Sequence, residues 1–162
     1  MNIHYQDNRT WSDNYIPAMK QIIGPYLLVT SSFAQDTQQA CDLICLKKHV
    51  ACRIRRCGYL KEHKNEFTLR FKNGNSKTEY AKILEGFADW IFYAHVGNNN
   101  NIDWYWLLDL DIFRTAIVNG KGGNLVGGIK ANYDNCTSFA WFDITSFPKS
   151  MVIGSGSYYV NK

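Results

Sequence analysis

The chain lacks most of the short signatures that would name a reaction. It contains no GxGxxG or Walker pattern, no nucleophile elbow around any serine, and no CxxC pair to anchor a structural zinc. The one glycine-rich stretch, Gly120-Lys121-Gly122-Gly123-Asn124, is not followed by the Ser or Thr and the helix of a phosphate-binding loop, and it reads as a hairpin turn. Nothing repeats at a fixed period, and low complexity is confined to Asn98 to Asn101. No run approaches the roughly eighteen apolar residues that span a bilayer. The opening segment MNIHYQDNRTW has no hydrophobic core of a signal peptide, so no membrane partner and a cytoplasmic location are expected.

What is present describes a globular chain. Apolar residues make up 46% of the 162 and charged residues 20%, enough to build a core in one domain without staples. The net charge of +4 permits a polyanionic partner without demanding one, so the distribution of charge has to decide. Five cysteines are an odd number, read most simply as reduced small hydrophobes. A zinc site from Cys52, Cys57 and His63 is the alternative.

Apolar spacings of three and four at Ile16, Met19, Ile23 and Leu27 predict a helix over about Ser12 to Leu28. Two β-like runs, Ala40 to Leu46 and His49 to Cys57, flank Lys47-Lys48 and predict a hairpin, with a third strand at Glu66 to Lys72. After the turn Asn73-Gly74-Asn75, the string Ser76-Lys77-Thr78-Glu79 is a capping-box pattern. Tyr80, Ile83, Leu84, Phe87, Trp90, Ile91 and Ala94 then continue at helical spacing, which predicts a helix from Ser76 to about His95. Trp104 to Ile112 reads as a buried strand, and Thr137 to Ile144 as another. Asp109 and Asp111 inside the first of these must be paired or lie at its end, with Arg114 near enough in sequence to serve one of them.

Within these strands, VACRIRR (50–56) and EFTLRFK (66–72) alternate apolar and cationic side chains. If the two strands pair, the period of two brings Arg53, Arg55, Arg70 and Lys72 onto one face as a basic plate. Arginine forks grip phosphate oxygens, so such a plate is a nucleic-acid surface. The plainer reading is a solvated outer face whose arginine stems cover apolar strand surface.

The order helix, three strands, helix, strand resembles the PD-(D/E)XK nuclease-like superfamily over about residues 14–114. The resemblance implies an α/β (α+β) class: a mixed central sheet containing a three-strand antiparallel meander flanked by two helices, with a C-terminal β extension over 115–162. It implies Mg²⁺ held by carboxylates for phosphodiester hydrolysis, with Asp42 as the first acid and metal ligand. Arg53 then stands at the second acid's position and Arg55 at the catalytic lysine's. Since arginine cannot ligate magnesium, a carboxylate displaced to Asp36, Glu66, Glu79 or Asp89 would have to complete the motif. Asp42 has a plainer role too, pairing with Arg53 or Arg55 across the hairpin. The strings ACRIR (51–55), FTLR (67–70) and LDLDIFR (108–114) also look like a pattern in small proteins of phages and their bacterial hosts. Two functions follow as expectations: a nuclease-like protein acting on nucleic acid, or a non-catalytic phage-encoded inhibitor that binds a host defence protein.

Overall fold

The computed structural model describes residues 3–32, 43–73, 77–98, 101–120, 124–133 and 136–159. They fall into two compact units, one of residues 1–48 with 158–162 and one of residues 49–157. The expected division into a core over 14–114 and an extension from 115 is replaced by this one, because the last third of the chain completes the sheets of the second unit. The mixed α+β class is as expected: helices accompany open sheets that contain both parallel and antiparallel pairs.

The first unit holds α1 (Ile3–Asp13), α2 (Ile16–Leu27), β1 (Leu28–Thr30) and β2 (Leu43–Cys45). The helix expected over Ser12 to Leu28 is α2, and α1 precedes it where no helix was expected. Ser12 Oγ donates to the carbonyl of Arg9 and Tyr15 N to that of Ser12, which closes α1 in a turn. Pro17 then lies in the first turn of α2, where a missing N–H costs nothing, and Met19, Ile22 and Ile23 are buried. β2 pairs antiparallel with β1, Leu28 opposite Cys45 and Thr30 opposite Leu43. The anticipated hairpin from Ala40–Leu46 into the next strand is therefore not formed. Asp36 and Asp42 lie outside the described residues.

The second unit is built on two sheets. β3 (Val50–Arg55), β5 (Trp90–Val96), β6 (Ile102–Asp109) and β9 (Val152–Tyr158) form one in the order β3-β5-β6-β9, with β3 parallel to β5 and β6 antiparallel to it. β4 (Glu66–Asn73), β8 (Thr137–Asp143) and β7 (Gly127–Ala131) form the other in the order β4-β8-β7. The three-strand meander that the resemblance requires is absent, because its three strands are distributed over three different sheets. The extra elements are α3 (Leu60–His63), α4 (Glu79–Leu84) and α5 (Leu110–Asn119).

The long helix expected from Ser76 is the second correction. α4 begins at Glu79, capped by Thr78 Oγ1 accepting from Ala81 N, and it ends after six residues. Gly86 (φ 95) and Ala88 (φ 61) then turn the chain with left-handed backbone, and WIFYAHV (90–96) is an entirely buried strand. Its apolar residues satisfied a helical spacing only because almost every position in it is apolar. A run buried on both faces carries no period of its own. The third correction is smaller: the strand beginning near Trp104 stops at Asp109, whose carboxylate accepts from Asp111 N and Ile112 N and so starts α5.

Between the sheets, Phe67 and Leu69 of β4, Ala140 and Phe142 of β8, Ile91 and Tyr93 of β5, Leu108 of β6 and Phe113 of α5 make one apolar cluster with Phe147 and Met151. Phe67 lies 5.5 Å from Phe113 and 5.3 Å from Phe142, ring centre to ring centre. Arg114 fastens the adjoining turn. One guanidinium nitrogen donates to the carbonyls of Ile83 and Ala88, and the other pairs with Asp111 at 2.5 Å.

Candidate binding site on the arginine–aromatic face

The registers of β3, β5 and β6 arrange their side chains in rows. Arg53, Tyr93 and Trp106 are cross-strand neighbours, and so are Arg55, His95 and Trp104 two residues further along. All six leave the same face of the sheet, since positions two apart share a face, and the rows are spaced by about 6.6 Å. This is the face that, at Ile91 and Tyr93, covers the apolar cluster.

In the first row every polar tip has a partner. Arg53 Nη1 meets Glu79 Oε2 at 2.5 Å, in a pair whose side chains are 21% and 29% exposed. The same carboxylate oxygen accepts from the backbone N of Arg70 at 3.0 Å, which ties β4 to α4 and to β3. The hydroxyls of Tyr93 and Thr68 share a hydrogen bond of 3.2 Å, and Trp106 Nε1 donates to the carbonyl of Lys64 at 2.7 Å.

The second row differs at each position. The Arg55 guanidinium lies 4.6 Å from the ring centre of Tyr59 and forms no ion pair among the described residues. His95 is 1% exposed, yet among the described residues neither ring nitrogen has a hydrogen-bond partner, and Trp104 Nε1 is likewise buried and unpartnered. Burial, with the positive charges of Arg55 and His63 adding to it, pushes the His95 imidazole down to about 4. The ring is therefore neutral at pH 7, with one N–H and one bare nitrogen. Lys64 Nζ sits 3.7 Å from the Trp104 ring centre, and His63 Nδ1 lies 2.9 Å from Glu66 Oε2 at the edge of the row. At the β5–β6 turn the Asp103 carboxylate packs against Gly97, where a Cβ would require that side chain to shift.

The expected basic plate is rearranged. β4 does not pair with β3, so Arg53 and Arg55 belong to one sheet and Arg70 and Lys72 to another. Arg53 is neutralised by Glu79, whereas Arg70 and Lys72 are exposed and form no ion pair among the described residues. A shift of register against β8 between Arg70 and Lys72 leaves Phe71 38% exposed where the strand pattern points it inward, while Thr68, expected outside, is buried.

Of the carboxylates that could complete a nuclease motif, Glu79 is brought to Arg53, and Arg53 and the Arg70 amide hold it there. Asp89 instead accepts from the backbone N of His49 at 2.7 Å, and Glu66 is engaged by His63. Among the described residues no three His, Cys, Asp or Glu side chains converge to hold a metal ion. The described residues therefore assemble no zinc site at Cys52, Cys57 and His63, and Cys57 Sγ instead contacts Asn98 Oδ1 at 2.6 Å. Reading 90–96 as helix hid Tyr93, His95 and the two-row pattern. The signal was there in seven consecutive β-branched, aromatic or small residues ending at Gly97.

Compared with known proteins, the chain matches no family model, no curated protein and no solved structure.

Proposed function

We propose that the chain binds nucleic acid in single-stranded form and does not cut it. The observation that carries this reading is that Arg55, Arg70 and Lys72 lack ion-pair partners among the described residues while exposed rings stand beside them. Tyr59, 44% exposed, lies under Arg55, and Phe71, 38% exposed, separates Arg70 from Lys72. Cations that track a phosphate backbone, interleaved with rings on which unpaired bases stack, are the recurring equipment of single-strand binding. The non-hydrolytic half rests on Glu79. A carboxylate gripped by an arginine 2.5 Å away is a poor magnesium ligand, because the metal would have to break the ion pair first.

Fluorescence anisotropy with a labelled single-stranded oligonucleotide tests the reading across a salt series. Binding should weaken steeply from low to moderate salt, and Arg70→Ala with Lys72→Ala should flatten the log–log slope by about 1.4, or about 0.7 per lost phosphate contact. Binding that is absent, or insensitive to salt and to these substitutions, would overturn it in favour of a protein-binding inhibitor. Mg²⁺-dependent cleavage that disappears in Asp42→Ala would overturn the non-hydrolytic half alone.

A further inference from the structure

Apart from the stacking of Arg55 on Tyr59, the polar atoms of the row Arg55, His95 and Trp104 have no partner among the described residues, which is unusual for groups so placed. Buried ring nitrogens are almost always hydrogen-bonded, because one left alone loses its hydration without compensation. Here three such atoms, both nitrogens of His95 and Nε1 of Trp104, occur on cross-strand neighbours. The third neighbour in the row, Arg55, has its charge uncompensated among the described residues. Two residues away along each strand, on the same face, the equivalent polar tips are all satisfied.

We propose that Arg55, His95 and Trp104 form a binding site for a small tetrahedral oxyanion of the phosphate class. The three side chains supply an indole N–H, an imidazole and a guanidinium, a donor-rich set that suits an anion. An anion between them compensates Arg55 and reverses the field at His95. The imidazole then takes up a proton and presents N–H groups in place of a bare nitrogen. The surrounding charges are consistent with this assignment. Lys64 lies over Trp104, the Glu66 carboxylate is occupied by His63, and the Asp103 carboxylate lies against Gly97 at the β5–β6 turn. The site goes beyond the nucleic-acid reading and stands without it: the anion is either free phosphate or the terminal phosphate of a strand.

The experiment uses the full chain with inorganic phosphate as probe. Titration of the His95 ring is followed by ¹⁵N-resolved NMR with and without phosphate, and proton uptake by calorimetry at pH 6 in buffers of differing ionisation enthalpy. The site requires the His95 pKa to rise by at least about one unit on saturation, corresponding to about tenfold linkage between proton and anion. It also requires a proton taken up by His95 on binding, read as the difference in proton exchange between the native chain and His95→Phe, because phosphate itself titrates at about pH 6–7. Trp104→Phe keeps the ring while deleting the N–H, and should weaken phosphate about tenfold. His95→Phe should abolish uptake of that proton, with circular dichroism confirming that both variants are folded. Phosphate that binds without moving the His95 titration, or equally well in both folded variants, would show an adventitious ion only and overturn the site. So would failure of phosphate to bind, which would mean the unpartnered atoms are met by water. Comparing 5′-phosphorylated with unphosphorylated oligonucleotides then assigns the source. If only the phosphorylated strand binds more tightly than the free anion, the site reads strand ends. If inorganic phosphate saturates the site and leaves both strands' affinities unchanged, the site serves free phosphate and the nucleic-acid reading is unaffected.

Discussion

Two positions on one face of β5, Tyr93 and His95, sit side by side and are buried to nearly the same degree, 2% and 1% exposed. Around Tyr93 the chain behaves as a packed interior. Its hydroxyl meets Thr68, its arginine neighbour on β3 meets Glu79, its tryptophan neighbour on β6 meets a carbonyl, and its ring lies 6.3 Å from Phe67. Around His95 the same residue types, arginine and tryptophan, flank a ring whose nitrogens meet nothing. The same succession of strands therefore carries paired polar tips in one row and, among the described residues, unpaired ring nitrogens in the next. What separates them is the supply of partners: α4 and the start of β4 deliver Glu79 and Thr68 to the first row, and among the described residues no equivalent reaches the second.

The largest way to break the comparison is to remove the core beneath the first row. Phe67 is fully buried and touches Tyr93, Phe113, Phe142 and Phe147. Phe67→Ala should cost about 3–5 kcal/mol through lost burial and a cavity, seen as a lower urea midpoint with little change in slope. A loss below about 1 kcal/mol would mean that this cluster does not organise the unit.

How much of this was legible before the structure can be argued from the same residues. The mixed class, the strands containing Arg53 and Leu69, and the service of Arg114 to Asp111 follow from alternation and spacing, because each half-exposed strand shows its period in its own sequence. β5 shows none, since both faces are buried, and a helix of four turns fitted its apolar positions as well as a strand did. Losing β5 also lost the sheet order, for β5 is the strand that takes β3 away from the expected hairpin and pairs with it in parallel. Of the candidate site, Arg53, Arg55, Arg70 and Lys72 were visible as cations on alternating strands. Glu79 as the partner of Arg53 was not, because that pair joins residues 26 apart through a tertiary contact no local pattern records.

A smaller effect sharpens the second row. The folded His95 pKa of about 4 lies below the ordinary 6.5, so between these values the unfolded chain holds a proton that the folded chain refuses. Stability from this group is therefore complete above pH 6.5 and is lost as the pH falls towards 4, amounting to roughly 3 kcal/mol in total. Urea unfolding of the native chain and of His95→Phe at several pH values in this window should give curves that diverge with that sign. Parallel curves would show that His95 is not held neutral by its surroundings, and the contrast between the rows would shrink accordingly.

The finest test exchanges one atom or ring at each position. Tyr93→Phe deletes a single oxygen and leaves the Thr68 hydroxyl, 7% exposed, without the partner it has at 3.2 Å. An unmet buried hydroxyl costs about 1–2 kcal/mol, so this variant should be destabilised by that amount although it gains apolar character. His95→Phe changes the polar content in the same direction but should have the opposite sign. It removes two nitrogens that have no partner to lose, and an apolar ring of similar shape fits the edge-on contact with Tyr93 at 5.5 Å. At neutral pH it should be neutral or stabilising by up to about 1 kcal/mol. Measured side by side, opposite signs would establish that the two rows differ in polar satisfaction rather than in burial. Equal losses would mean that His95 already has a partner in solution and that its row is finished in the same way as the first.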